Sequence, residues 1–196
     1  MVKDKIYDQF LQKCGTRLLS SLLMNTMRIL KKLNPGDMYY EAYLGHLERG
    51  GENFFDVYML MWFLGSAAAP KRILEIGTRT GISLCQLLSS YVNPRVVERI
   101  VCIDLFNDGY ISPNLVKRNL AYLNLPFEKV EFFTESSLDV LPRLKETFDY
   151  ILVDGDHTKE VARQDLENSH QLLESGGFLL FDDISDAPGE CALIDV

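Results

Sequence analysis

From Lys71 onward, short apolar or β-branched runs alternate with stretches whose apolar residues return at helical spacing. The runs Arg72–Ile76, Arg99–Asp104, Lys129–Thr134, Tyr150–Asp154 and Gly177–Phe181 predict strands. Between them, Ile82–Tyr91, Pro113–Leu123, Leu138–Glu146 and Thr158–Leu173 predict helices. This alternation predicts an α/β fold, a doubly wound and mostly parallel sheet with helices on both faces. Right-handed crossovers then fix most of the topology. Before Lys71 the pattern is helical. Phe10, Leu11, Leu18, Leu19, Leu22, Leu23, Met27, Leu30 and Leu33 recur near the helical period, and a turn at Asn34–Asp37 follows. Further helices are expected from Met38 to Leu47 and from Phe54 to Ala68, separated by a break at Arg49–Asn53. The expected division is a helical extension over residues 1–70 and a sheet-bearing core over 71–196, within one structural domain.

Composition narrows the partners. The 196 residues carry a formal net charge of −8 and no basic block, which argues against a nucleic-acid backbone as partner. The four cysteines, Cys14, Cys85, Cys102 and Cys191, show no CxxC spacing, and Cys85 and Cys102 stand in apolar contexts as small core residues. A reducing, cytoplasmic setting is expected. The first fourteen residues lack a continuous apolar core, so no signal peptide is expected. The most apolar run, Tyr58 to Ala69, falls short of the ~20 residues that span a bilayer and reads as a buried helix.

In an open α/β sheet, ligands bind outside the carboxyl ends of the strands. Polar residues stand there after all five expected strands. They are Glu75 with Gly77 and Gly81, then Asp104, then Thr134–Ser137, then the Val153–His157 segment VDGDH, then Asp182 and Asp183. The spacing of Gly77 and Gly81 is G-x-x-x-G, with Arg79 where a dinucleotide fingerprint would place its second glycine. An arginine there crowds a pyrophosphate, whereas a smaller anion such as an amino-acid carboxylate still fits at the start of a helix. A purely structural turn is the plainer alternative. Asp104, 27 residues after Gly77, can accept both hydroxyls of a ribose, or can cap a helix. Together the two features point to an adenosine with an anionic tail and no diphosphate.

At this point the residues resemble a known family. The segments LEIGTRTGIS, SSLDVLP, FDYILVDGDHTKE and LLESGGFLLFDDI, with Asp104, are similar to the class I S-adenosylmethionine-dependent methyltransferases, over about Ile73 to Ile184. The pattern of Glu75, Gly77, Gly81 and Ser83 resembles catechol O-methyltransferase. DGDH and FDD resemble macrocin O-methyltransferase and cephalosporin-hydroxylase-like groups. The resemblance implies a Rossmann-like fold and S-adenosyl-L-methionine as cofactor. It places Glu75, Gly77, Thr78, Arg79, Gly81 and Ser83 around the methionine moiety, with Ser83 bonding its carboxylate and Glu75 ordering the turn or reaching the ammonium group through water. It gives Asp104 the ribose, places Ser136 and Ser137 beside adenine, and has Asp154 and Asp156 near the cofactor. Glu135 departs from the glycine often found in relatives. The N-terminal helices would form a lid over the cofactor.

Asp154, Asp182 and Asp183 close the fourth and fifth strands. Neighbouring parallel strands lie ~4.8 Å apart, so their carboxylates can share a cation. Oxygen ligands suit Mg²⁺, or Ca²⁺ or Mn²⁺, and the matching family positions hold a divalent ion. Caps and turn acids are the plainer reading of these residues. His157, three residues after Asp154, matches the general base of catechol-type enzymes, and a histidine suits proton removal near neutral pH. It can equally be a helix-start residue bonded to nearby backbone, and Asp156 can orient it. The expected reaction is methyl transfer to a hydroxyl of a small molecule, assisted by a divalent metal.

Three rivals stand against this reading. A base-nitrogen methyltransferase would often carry an Asn-Pro-Pro-aromatic segment where this chain reads DGDH. An NAD-dependent oxidoreductase would need the missing G-x-G-x-x-G. The third is a catalytically incompetent or truncated cofactor-binding protein, because the sixth and seventh strands of the family are expected to be absent. The fifth strand would then be an edge, and that edge or the N-terminal helices could support a homodimer. No nucleic-acid or membrane partner is expected.

Overall fold

The computed structural model describes residues 61, 64–107, 109 and 111–182, and every one of them falls in a single compact unit, Val57–Val196. The helices expected before residue 61, and Asp183 with the residues after it, lie outside the described residues. Five strands form one sheet: β1 (Arg72–Ile76), β2 (Arg99–Ile103), β3 (Val130–Phe133), β4 (Phe148–Val153) and β5 (Leu173–Phe181). Their order is β3-β2-β1-β4-β5 and every pairing is parallel. The four main helices are α1 (Ile82–Ser89), α2 (Pro113–Tyr122), α3 (Ser137–Val140) and α4 (Lys159–Leu172). This is the Rossmann-like arrangement. The strand order reverses between β1 and β4, which places the switch point where the glycine turn stands.

The alternation of side chains along the strands builds two apolar layers. Ile73, Ile100, Cys102, Tyr150 and Leu152 meet Leu84, Leu87 and Leu88 of α1 and Val116 and Leu120 of α2. Leu74, Ile76, Val101, Ile103, Ile151 and Val153 meet Val140, Leu141 and the end of α4 on the other face. Burying each such side chain fully is worth roughly 1.5–3 kcal/mol. Glu75 shares its face with Ile73, so the same alternation drives its carboxyl into the α1 layer. Met61 and Leu64 pack in that layer too, and residues 64–68 are helical. Cys85 and Cys102 are free thiols with no exposed surface, as small core residues should be.

Some elements differ from the sequence pattern for physical reasons. The helix expected over Leu138–Glu146 is one turn of α3 followed by a 3-10 turn, Leu141–Arg143. Pro142 has no N–H to continue the α-helical ladder. Strand β5 begins earlier than expected. Its regular ladder pairs Tyr150–Val153 with Phe178–Phe181, while the register shifts between Phe148 and Tyr150 to accommodate the Glu174–Gly177 segment. Helix α4 therefore runs straight into an irregular strand start. Helix α2 begins as its sequence predicts, with Pro113 in the first turn and the Ser112 hydroxyl accepting from Leu115 N–H at 3.2 Å.

Candidate functional site

The loops at the carboxyl ends of the strands are bound to one another. Gly77 N–H donates to Ile103 O at 2.9 Å, Asp104 N–H to Phe133 O at 3.1 Å, Asp154 N–H to Ile76 O at 2.9 Å and Asp182 N–H to Val153 O at 3.0 Å. One continuous rim results, from the end of β3 to the end of β5.

The glycine turn is dictated by its surroundings. Gly77 has φ +85°, and a Cβ there would overlap the Asp154 carbonyl oxygen. Gly81 has φ +75°, and its Cβ would stand 2.6 Å from Val116 Cγ1. Between them Arg79 adopts φ +47°, the left-handed conformation that glycine takes easily. Its exposed side chain stands where the second glycine of a dinucleotide fingerprint would be. From α2, Asn119 Nδ2 donates to Thr80 O at 3.0 Å and pins the turn from behind. Asn119 is a site-supporting residue that periodicity did not reveal. It is 1% exposed on the inward face of α2, and nothing in the sequence marks its partner.

Asp104 is held by two backbone amides. Arg79 N–H donates to Oδ2 and Phe106 N–H donates to Oδ1, each at 2.7 Å. The first bond crosses from the β1 turn to the end of β2, and the second closes the local loop. A carboxylate offers about four lone-pair positions, so each oxygen keeps one for a ligand hydroxyl.

Glu75 lies beneath the turn with 1% of its surface exposed. The Ser83 hydroxyl donates to Oε1, while Oε2 makes no hydrogen bond among the described residues. Burial pushes its carboxyl up to about 8, against the pull of Ser83 and Thr78, with Asp154 and Asp104 adding repulsion. Ser83 is thus turned towards Glu75, a bond that competes with the expected one to a ligand carboxylate. Thr78, also expected near the ligand, is 2% exposed and faces the acid.

On the other side of the rim, Ser136 accepts from Leu138 N–H at 3.3 Å and caps α3. Ser137, half-buried, donates to Asp165 Oδ2 at 2.9 Å. Asp165, on α4, is 1% exposed and was not singled out by the sequence pattern. Its burial raises the carboxyl to about 6, against the Ser137 bond and with a contribution from Asp156. Asp156 accepts from Thr158 N–H at 2.7 Å, and its bonds to Thr158 hold its carboxyl below the usual range. That turn carries His157, which is exposed at the mouth of the loop between β4 and α4. Glu135, the departure from the family pattern, pairs with Arg143 at 2.8 Å and turns outward.

Asp154 and Asp182 are half-buried at the ends of neighbouring strands. Asp183, the third expected ligand, lies outside the described residues. Among the described residues, no group of three His, Cys, Asp or Glu is arranged to hold a metal ion. No helix among them is long and apolar enough to cross a membrane.

This fold and rim agree with the comparisons to known proteins. A family model described as a methyltransferase domain matches residues 74–184, more than half of the chain, and the chain belongs to that family. The particular relatives are more distant. An O-methyltransferase of Aspergillus hancockii, hkm8, is 29% identical over 126 residues, covering 62% of this chain and 47% of the relative. The chain thus spans about half the length of the curated relative it matches. Among solved structures, a putative O-methyltransferase from Klebsiella pneumoniae superposes with a TM-score of 0.54 at 21% identity, over 91% of this chain and 72% of that one. The O-methyltransferase TomG from Streptomyces achromogenes, solved in complex with S-adenosylmethionine, gives 0.51 at 23% identity, over 67% and 60%. At these identities the solved structures speak for the fold.

Proposed function

We propose that this protein is an S-adenosylmethionine-dependent methyltransferase that modifies a hydroxyl group of a small molecule. The observation that carries the reading is Asp104. It is fastened by two amides at the end of β2, beside a left-handed glycine turn, and among the described residues each of its oxygens accepts one hydrogen bond. That arrangement suits a ribose diol with a short charged tail. The buried Oε2 of Glu75 beneath the turn, unpartnered among the described residues, suits a cationic group, which would favour the ionised acid. The arginine in the turn speaks against a pyrophosphate and hence against the oxidoreductase reading.

When bound, S-adenosylmethionine supplies an activated methyl group. Gly77 to Gly81 would lie along its amino-acid end, Asp104 would hold its ribose, and the loop after β3 would flank its base. His157, on the rim beyond β4, takes the proton of the acceptor hydroxyl on its unprotonated ring nitrogen. The Asp156–Thr158 bond fixes the turn on which it stands. Asp154 and Asp182, with Asp183 next in sequence, are the residues that would hold a divalent ion, and such an ion would lower the pKa of the hydroxyl. Much of the rate enhancement would come from holding donor and acceptor in line.

Methyl transfer from labelled S-adenosylmethionine to a panel of phenol, sugar and polyketide hydroxyls tests this function. His157→Ala should lower the rate about 10²–10⁴-fold with cofactor binding intact. Chelation followed by Mg²⁺ addition tests the metal. Turnover that survives both changes would remove His157 and the ion from the mechanism.

A further inference from the structure

Two non-glycine residues at the rim hold a backbone shape that L-residues resist, and both serve the same carboxylate. Arg79 and Phe106 each have φ +47°. Their amides are the ones that donate to Asp104, Arg79 to Oδ2 and Phe106 to Oδ1, each at 2.7 Å. Bulky residues avoid this region because it brings Cβ too close to the following carbonyl oxygen. At Arg79 the glycine turn imposes the shape, closed around it by Gly81 N–H, which donates to Thr78 O at 2.8 Å. Phe106 stands between Leu105 and Asn107, with no glycine on either side. Something other than the backbone has to hold it.

Its side chain supplies the hold. The Phe106 ring packs half-buried against the α1 layer, while Leu105 beside it is 56% exposed. It meets the Phe132 ring edge-on, with centroids 5.9 Å apart and planes inclined by 65°. Phe132 lies on β3 in register with Cys102 of β2, and Lys117 Nζ from α2 stands 5.5 Å from the centre of its ring. A line of contacts thus runs from α2 through β3 to Phe106. The φ of a residue sets the angle between its N–H and its Cβ. At Phe106 the left-handed value lets the amide face Asp104 while the ring turns into this stack.

We propose that Phe106 is a positioning residue: its ring, anchored on Phe132, holds the strained backbone whose amide aims Asp104, and so sets how strongly the site demands both hydroxyls of a ribose. The inference rests on the methyltransferase reading and acts through the acid that reading assigns to the ribose. Without the ring, the backbone relaxes towards an ordinary φ and Oδ1 loses its amide. The ligand must then order the carboxylate itself, and that ordering costs affinity. The cost falls on ligands that use the acid and spares those that do not.

The test is a pair of calorimetric titrations of the full chain, with S-adenosylhomocysteine and with its 2′-deoxy analogue. The unaltered protein should prefer the compound with the intact diol by roughly tenfold or more, the usual effect of one hydrogen bond to a charged acceptor. Phe106→Ala should cut that preference to about threefold or less, while Phe106→Leu, which keeps an apolar anchor, should retain most of it. A ring that only filled the core would weaken both ligands by the same factor and leave the preference intact, which overturns the proposal. In an Asp104→Ala background, Phe106→Ala should cost no further affinity for S-adenosylhomocysteine, and a loss as large as in the unaltered chain overturns the proposal too. Should Phe106→Ala fail to fold, Phe132→Ala, which removes the support of the ring, should lower the preference in the same direction, and an unchanged preference there counts against the proposal equally. Failure of the unaltered chain to bind S-adenosylhomocysteine would overturn the methyltransferase reading itself. Binding with a preference insensitive to these changes would overturn the role of Phe106 alone.

Discussion

Single residues at the rim carry most of what distinguishes this site. Glu75 was legible as a polar residue at the carboxyl end of the first expected strand. Its lack of solvent was not legible, because that depends on α1 closing over it. The consequence is a pH dependence. The folded-state carboxyl titrates near 8 and the unfolded one near its ordinary value of 4.5. Between those values the folded protein binds more protons, so stability falls as pH rises from about 4.5 to about 8 and levels off above that. Glu75→Gln should remove this slope and stabilise the cofactor-free protein at pH 8 by roughly 1–3 kcal/mol. Urea denaturation across pH 5 to 9 reads the difference, and parallel curves for the two proteins would contradict it. Gly77 makes a sharper case. Its left-handed φ and the Asp154 carbonyl oxygen exclude any Cβ, so Gly77→Ala should cost roughly 2–5 kcal/mol by thermal or chemical denaturation. A loss under 1 kcal/mol would mean the β1 turn can move away from β4. Asp165 and Asn119 escaped the sequence pattern for a common reason. Each is a polar residue on the inward face of an amphipathic helix, where periodicity assigns only a position and says nothing of a hydrogen-bond partner.

At the scale of elements, the strands were the legible part. Buried parallel strands are apolar on both faces, so RILEI, RIVCI and YILV stand out against their polar surroundings, while β4 begins at Phe148, before the expected start at Tyr150. Helix α3 was over-extended because the apolar spacing of Leu138, Leu141 and Leu144 continues past Pro142, which stops the ladder. The start of β5 was missed because Glu174–Gly177 has turn composition, and only the pairing with β4 draws it into the sheet. The bond from Asn119 to Thr80 joins α2 to the turn between β1 and α1 and gives an element-level prediction. Asn119→Ala should destabilise the protein by about 1–2 kcal/mol and weaken cofactor binding severalfold, because Thr80 O loses its donor and the turn its anchor. Calorimetry on a folded variant checks this. Unchanged affinity would show that the turn holds its shape without α2.

At the scale of the molecule, the strand order β3-β2-β1-β4-β5 gathers residues separated by more than a hundred positions onto one rim. The sequence carried that convergence, since an acid or glycine stands at the end of nearly every expected strand. What it could not carry were the bonds that lock the rim together. Arg79 N–H to Asp104 and Ser137 to Asp165 each depend on loops from different crossovers meeting in space. The central claim is that this rim is a cofactor site built around Asp104. Calorimetric titration of S-adenosylmethionine into the 196-residue chain, alongside Asp104→Ala, tests it most directly. The account predicts binding in the micromolar range, weakened roughly a hundredfold or more by the substitution, because two ribose hydroxyls lose a charged acceptor. A folded, monodisperse protein that takes up no cofactor, or an Asp104→Ala variant that binds as tightly as the unaltered chain, would contradict it.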